Sequence, residues 1–474
     1  MSAIKIYIII GFCVIIELLN IVTSDSVLNL LLTIPELLYV CFLILKRDFK
    51  NACFFNILFT ALCFNPDFGL MKEDILYSYA KIKLVGPLTI SYLLGGLVWF
   101  WVRVNTKVIK DDILLNKFRW VVSYLLISAS LIGLMGVVFL SYPIKYFAQP
   151  LVYILNAYIY LDILTRLYEP NYIKKFYYTA FCLIIASPIA TTLSYFILGV
   201  YGTYSVFDAL ITNEVYTFVP CLIIALLFRI RFKALCVLAL ICYFANMMVA
   251  ARGGYYLMTL FSVVICIYLI YFSNAQIGKK TKLILRVGIP AVIVIAIGYM
   301  SIALSQEGMS SQKLNQIVSL GNLFFQSGDY DFSPDTISSS PYIRIGEVLN
   351  IVYEGVMNPL GIVFGKGYGG YWTDALNLFP MLDLTQGGFA ADVVQSGRFR
   401  TAHSVIPTAL LYNGVVGLFF LFRMGVRYMK NITKTPLIFI SGALFFYSFY
   451  YDPLLVIVSV FILFGAEYKL SVAK

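Results

Sequence analysis

Apolar residues run along this chain in long blocks separated by short polar segments. The blocks fall at about 3–22, 26–45, 51–66, 82–102, 120–140, 146–164, 176–200, 217–228, 234–250, 255–272, 287–304, 403–422, 435–450 and 453–468. A helix needs about 20 predominantly apolar residues to cross a hydrocarbon core roughly 30 Å thick. The pattern therefore predicts an all-α polytopic integral membrane protein with about 12–14 transmembrane helices. The blocks at 51–66 and 217–228 are short enough to be re-entrant, and 435–468 can be divided differently around Asp452.

One long polar stretch interrupts the series. It divides the chain into an N-terminal helical region at 1–304, a long loop at 305–402 and C-terminal spans at 403–474. The loop is rich in aromatic residues (Phe324, Phe325, Tyr342, Tyr353, Phe364, Tyr368, Tyr371, Trp372 and Phe379) and is not of low complexity. It should fold, as short helices lying on the membrane surface. Ser339-Ser340-Pro341 predicts a helix start with Ser340 as N-cap and the proline at the first position. Ile343, Val348, Ile351 and Val352 then give one apolar face until Asn358-Pro359 ends the helix, with Arg344 and Glu347 three apart on one side.

Composition removes the soluble classes. Hydrophobic residues make up 61% of the chain and charged residues 12%, with a mean hydropathy of +0.87. Soluble domains are about 45–50% apolar and about a quarter charged. The net charge of +11 sits in no basic, aromatic-interleaved soluble module, so nucleic acid is not an expected partner.

The basic residues instead set the orientation. With the N-terminus cytoplasmic and the chain alternating, only Lys72, Lys81, Lys83, Lys145, Arg252, Lys313, Arg344, Lys366, Arg398 and Arg400 fall on the far side, out of 35 Lys and Arg. Cytoplasmic loops carry the excess of Lys and Arg. Both termini are thus expected in the cytoplasm and the long loop outside it. The nine cysteines lie in or beside apolar blocks, which suits small buried hydrophobes better than disulfides or a CxxC metal pair. The first block contains Glu17 and no small-residue cleavage site, so it reads as a retained helix.

Several residues could carry chemistry. The single histidine, His403, sits in Arg398-Phe-Arg400-Thr-Ala-His403-Ser404, where the loop meets the next span. Imidazole suits proton transfer near neutral pH, although a polar residue at a membrane boundary explains it too. Arg252 precedes Gly253-Gly254 at an outer helix end, either snorkelling to the interface or gripping phosphate with its two-pronged guanidinium. The run from Gly361 through Gly365, Lys366, Gly367, Gly369 and Gly370 is either a turn or a phosphate cradle, with Lys366 facing an anion. Its spacing is neither the dinucleotide nor the Walker fingerprint. Asp329-Tyr330-Asp331 could hold a metal but equally fits a solvated loop. Glu17, Glu36 and Asp162 lie within apolar blocks, as a transporter would require.

Gly365-x-Gly367-x-Gly369, Arg400-Thr-Ala-His403-Ser404 and Leu410-Leu411-Tyr-Asn-Gly414-Val-Val-Gly417-Leu418, taken together, resemble the C-terminal signature of the bacterial O-antigen polymerase and ligase superfamily. Arg344 with Gly355 eleven residues on, and Arg252 outside an earlier helix, resemble that family's loop arginines, whereas Ser404 replaces its usual Asn. The motif part covers about residues 340–420, and the remainder matches in topology alone. The resemblance implies a fold like that of glycosyltransferases that use lipid-phosphosugar donors (GT-C-like). It also implies an enzyme of the bacterial inner membrane that polymerises undecaprenyl-diphosphate-linked oligosaccharide units on the periplasmic face.

In that reading His403 is the base, Arg344 joins it in catalysis, and Arg252, Arg398, Arg400, Lys366, Gly365 and Gly367 hold diphosphate or glycan. Neither metal nor other cofactor is implied, and the partners are the lipid-linked glycan as donor and acceptor, the bilayer and a chain-length regulator. The alternatives are a ligase that transfers glycan to lipid A–core and a flippase for the same lipid-linked glycans.

Overall fold

In the computed structural model most apolar blocks become helices. The structure describes residues 3–23, 27–63, 79–80, 82–108, 113–197, 233–250, 339–379, 389, 391–402, 405–431, 435–450 and 453–472. The helices are α1 (Ala3–Val22), α2 (Leu28–Leu45), α3 (Phe49–Leu62), α4 (Ile90–Asn105), α5 (Leu114–Phe139), α6 (Ile144–Arg166), α7 (Pro170–Ile197), α8 (Lys233–Ala250), α9 (Ser339–Met357), α10 (Pro359–Phe364), α11 (Ala391–Ser396), α12 (Val405–Asn431), α13 (Pro436–Ser448) and α14 (Pro453–Val472). Six of the described helices are long and apolar enough to cross a membrane: α1, α2, α5, α6, α7 and α12. The chain is a predominantly helical, multi-pass membrane protein.

One block departs from the expectation of a single span. A short antiparallel hairpin of β1 (Lys83–Val85) and β2 (Leu88–Thr89) occupies the start of the 82–102 block, and α4 begins only at Ile90. Gly86 takes φ +55° at the hairpin turn, and Pro87 follows it. Proline cannot donate to a helical ladder, so the turn stops α4 from extending towards Lys83.

The chain forms two compact units, residues 1–120, 153–284 and 425–474 in the first and 121–152 and 285–424 in the second. In the first, α7 packs against α1, α8 and α14, and α14 packs against α13. Phe176 of α7 centres an aromatic core, with ring centroids 5.1 Å from Phe54, 4.8 Å from Phe461 and 4.8 Å from Phe464. The faces are sorted as lipid requires. On α1, Ile4, Ile8 and Ile15 are exposed, while Ile6, Ile10, Cys13, Glu17 and Asn20 form the buried stripe. On α2 the buried stripe is Asn29, Thr33, Glu36, Val40 and Leu43. Polar side chains point inward because hydrocarbon cannot satisfy them.

A carboxylate ties three helices of this unit together. Asp162 of α6 is completely buried and accepts from Arg119 Nη1 at 2.6 Å, Trp99 Nε1 at 2.8 Å and Arg166 Nε at 3.0 Å. Arg103 approaches to 3.8 Å. Arg166 also donates to the Thr106 carbonyl at 2.7 Å, which fixes the end of α4. Elsewhere in the unit the Glu467 carboxylate accepts the Leu115 amide at 2.7 Å, satisfying one of the free N–H groups at the start of α5.

Candidate functional site

The second unit is built around a break in a helix. Gly414 in α12 has φ 65° and ψ −166°, outside the helical region. The carbonyls of Leu411 and Tyr412, which a continuous helix would offer to residues 415 and 416, accept the amides of Lys366 at 2.6 Å and Gly367 at 3.1 Å. The next amide, Tyr368, donates to the Ala129 carbonyl of α5 at 3.0 Å. Asn413 Nδ2 donates to the Leu125 carbonyl at 2.8 Å and to Ser128 Oγ at 2.9 Å. The glycine-rich loop is thereby spliced between α5 and the broken α12.

This explains the glycines physically. Gly365, Gly367 and Gly369 have φ of +80°, +70° and +83°, a region that side chains disfavour. A Cβ on Gly365 would meet the Tyr412 carbonyl carbon at 2.4 Å, and one on Gly367 the Gly133 nitrogen at 2.2 Å. The backbone amides of residues 365, 366, 367, 368 and 370 all donate to protein carbonyls. Of the two readings left open by the sequence, the packed turn is the one these bonds describe. Gly365 and Gly367 act here by backbone approach to helices.

Lys366 is also committed. Its Nζ contacts Glu354 Oε2 at 2.5 Å and the Tyr371 carbonyl at 2.8 Å. The other Glu354 oxygen accepts the Thr373 amide at 2.8 Å. On the same helix, α9, Asn350 donates to Asp374 at 2.9 Å and accepts the Leu376 amide at 2.9 Å. The buried face of α9 thus carries Ile343, Ile351, Glu347 and Asn350, while Val352 is exposed. It is more polar than the apolar face expected from the sequence, because a loop rich in backbone donors packs on it. Arg344 is exposed and Glu347 is buried, so helical spacing alone does not give the two a common environment. The helix begins at Ser339, one residue before the expected cap, and ends as expected at Asn358, whose side chain caps α10.

The loop continues into a cluster of cations and tyrosines. Trp372 and Phe399 form an antiparallel bridge and stack at 4.4 Å, which brings residues 398–400 beside Tyr371. The Arg400 guanidinium lies 4.2 Å from the centre of the Tyr146 ring and 5.6 Å from that of Tyr371, and donates to the Gly369 carbonyl at 2.8 Å. Tyr412 Oη donates to the Arg400 carbonyl at 2.6 Å. Arg398 stands 5.1 Å from the Tyr371 ring centre, and Lys145 5.6 Å from that of Tyr146. Tyr142 meets Tyr371 at 6.1 Å. Burial, and then the Tyr371 phenol, push the Tyr142 phenol above its ordinary range, while Arg400 pulls it back.

Among the described residues no carboxylate pairs with Lys145, Arg398 or Arg400, and Arg398 and Lys145 are exposed. Chemically the arrangement offers guanidinium and ammonium groups to an anion and tyrosine rings to a flat or sugar-like surface.

Of the residues singled out in the sequence, Gly365, Lys366, Gly367, Arg398 and Arg400 belong to this one assembly. No hydrogen bond, ion pair or ring contact joins Arg344 to it among the described residues. His403, Arg252, Asp329 and Asp331 lie outside the described residues. Sequence reasoning passed over Tyr142, Tyr146 and Tyr371 as site residues and used Lys145 only as a topology marker. A Tyr-Pro-Ile-Lys-Tyr turn between two spans was the available signal. No group of three or more His, Cys, Asp or Glu side chains suited to a metal occurs among the described residues. No protein-family model, curated protein or solved structure matches the chain.

Proposed function

We propose that this chain is a glycosyltransferase of the O-antigen polymerase type. It joins undecaprenyl-diphosphate-linked oligosaccharide units on the extracytoplasmic face of a bacterial inner membrane. The observation that supports this best is the group of three cations, Lys145, Arg398 and Arg400, which have no carboxylate partner among the described residues and are set among three tyrosines; the two arginines lie a few residues before His403. In the reaction, a hydroxyl of one unit attacks the anomeric carbon of another. The bond from that carbon to the diphosphate oxygen breaks, and the hydroxyl proton passes to His403. Negative charge grows on the departing diphosphate, where guanidinium groups stabilise it most. The tyrosine rings offer faces for sugars, and Arg252 and Arg344 supply further cations from the same side of the membrane in the predicted topology.

Purified full-length protein in proteoliposomes, given the lipid-linked repeat unit, should produce a ladder of longer products. His403→Ala should abolish the ladder while membrane insertion is retained, because a positioned base contributes about 10²–10⁴-fold. His403→Gln separates proton transfer from orientation, since an amide holds a hydrogen bond but takes up no proton. In a deletion strain, single repeats on lipid A–core indicate loss of a polymerase, and bare core with stalled long chains indicates loss of a ligase. Repeat units trapped on the cytoplasmic face would point to a flippase and end the polymerase reading.

A further inference from the structure

The first unit contains a carboxyl that the proposed reaction does not use. Glu36 lies midway along α2, is 6% exposed, and neither of its oxygens has a hydrogen-bond partner among the described residues. No Lys or Arg forms an ion pair with it among those residues. Burying an ionised, unpaired carboxylate is far more costly than burying the neutral acid. Glu36 is not isolated in an apolar wall, however. On its own helix it continues the buried stripe of Thr33 and Asn29, one and two turns towards the start of α2.

That stripe connects to the end of α1. Asn29 Nδ2 donates to the Asn20 carbonyl at 3.5 Å, and Asn20 Nδ2 to the Leu62 carbonyl at 3.1 Å. Asn20 Oδ1 and Glu17 Oε1, one turn further in, are also buried without partners. A seam of polar groups thus runs into the unit from the end where α1 turns into α2. The charge pattern puts that end on the extracytoplasmic side.

Among the described residues, Glu17 on α1 is linked to Ser187 and lies near Cys13, which in turn faces Cys182 of α7. Tyr79 is influenced by Glu36 and Cys41 on α2, Cys63 at the end of α3 and Tyr160 on α6. Tyr79 donates to Asn56 Oδ1 at 2.6 Å, and Asn56 Nδ2 donates to the Tyr160 hydroxyl at 2.8 Å. The Tyr79 phenol, pushed up first by burial and next by Tyr160, is raised further by Glu36. Glu36 therefore sits beside a completed hydrogen-bond chain without being a member of it.

We propose that Glu36 is a proton-binding site within the membrane, taking up and releasing a proton along the Asn20–Asn29–Thr33 seam. The exchange is a simple protonation of the carboxylate by water-borne protons, and no other reactant is needed. Intramembrane carboxyls on polar paths are the usual elements of proton relays. This goes beyond the glycan reading and stands or falls separately from it.

Dicyclohexylcarbodiimide, which attacks protonated carboxyls in apolar surroundings, tests the idea on the full-length protein in nanodiscs. At neutral pH, mass spectrometry should find Glu36 labelled, and raising the pH should suppress the label. Glu36→Gln should abolish labelling at that position, together with a carboxylic-acid C=O band in the infrared spectrum that shifts in heavy water. Absence of label at Glu36, or a band that never exchanges its proton, would overturn the proposal. Protection by Na⁺ at constant pH would also overturn it, since the occupant would then be a metal cation. If the Gln variant does not fold, labelling and deuterium exchange of the unaltered protein still decide the matter.

Discussion

Two charged clusters, one in each unit, are built in opposite ways. In the first, the Asp162 carboxylate is surrounded by Arg119, Arg166, Arg103 and the Trp99 indole, and both of its oxygens are occupied. In the second, Lys145, Arg398 and Arg400 have no carboxylate partner among the described residues and rest against tyrosine rings. The difference separates a structural use of arginine from an available one. A guanidinium whose donors meet a buried carboxylate has little left for a ligand. One held by an aromatic face and a single carbonyl keeps donors free and is only lightly restrained. Location in a basic stretch of sequence does not distinguish the two cases.

The largest effect is expected from Asp162→Ala. It leaves three guanidiniums crowded without a counter-charge, and removing one partner of a buried ion pair costs about 3–5 kcal/mol. We expect loss of folded protein, read as early aggregation in a thermal shift assay in detergent. Survival at wild-type temperature would show that Asp162 is no more structural than the cations of the second unit.

Arg400→Ala should give the reverse profile, with a normal melting temperature and polymer formation lowered by about 10²-fold, the usual cost of losing one preorganised transition-state donor. Arg400→Lys should recover part of the rate. Full recovery would mean that charge alone matters, and a fallen melting temperature would move Arg400 into the structural class.

A smaller effect is expected from Gly367→Ala. Its φ of +70° costs about 1–3 kcal/mol for a residue with a side chain. The clash with Gly133 adds to that, so the melting temperature should fall, and activity with it. Unchanged stability would sink the account of the loop as a packed wedge. The smallest effect belongs to Lys366 and Glu354. A double-mutant cycle with Lys366→Met and Glu354→Gln should give a coupling near the upper end of the surface range, about 1 kcal/mol. A loss of polymerisation in Lys366→Met that Glu354→Gln does not share would instead assign Lys366 to the substrate.

Much of the helical framework was legible in the sequence because bilayer thickness imposes itself on the length of apolar blocks. The block at 26–45 became Leu28–Leu45, and that at 234–250 became Lys233–Ala250. The hairpin at residues 83–89 was hidden inside an apolar block, where only Gly86-Pro87 hinted at a turn. The inward face of α2 could not be ranked by hydrophobicity, since in lipid the apolar side faces out and Asn29, Thr33 and Glu36 face in. At the site, Arg398 and Arg400 stood out because they adjoin a histidine and a helix start. Tyr142, Lys145 and Tyr146 did not, because they lie more than 200 residues earlier in the chain and reach Tyr371 and Arg400 only through the fold.

The broken helix also bears on how the protein is made. A segment inserted into lipid with two unclaimed backbone carbonyls is penalised until partners arrive. For Leu411 and Tyr412 those partners, the amides of Lys366 and Gly367, belong to sequence that leaves the ribosome 45 residues sooner. The loop is therefore synthesised before α12 and is at hand to close the break as the helix emerges. Exchanging the order of these two segments by circular permutation would keep every contact of the mature protein and yet expose the break during biogenesis.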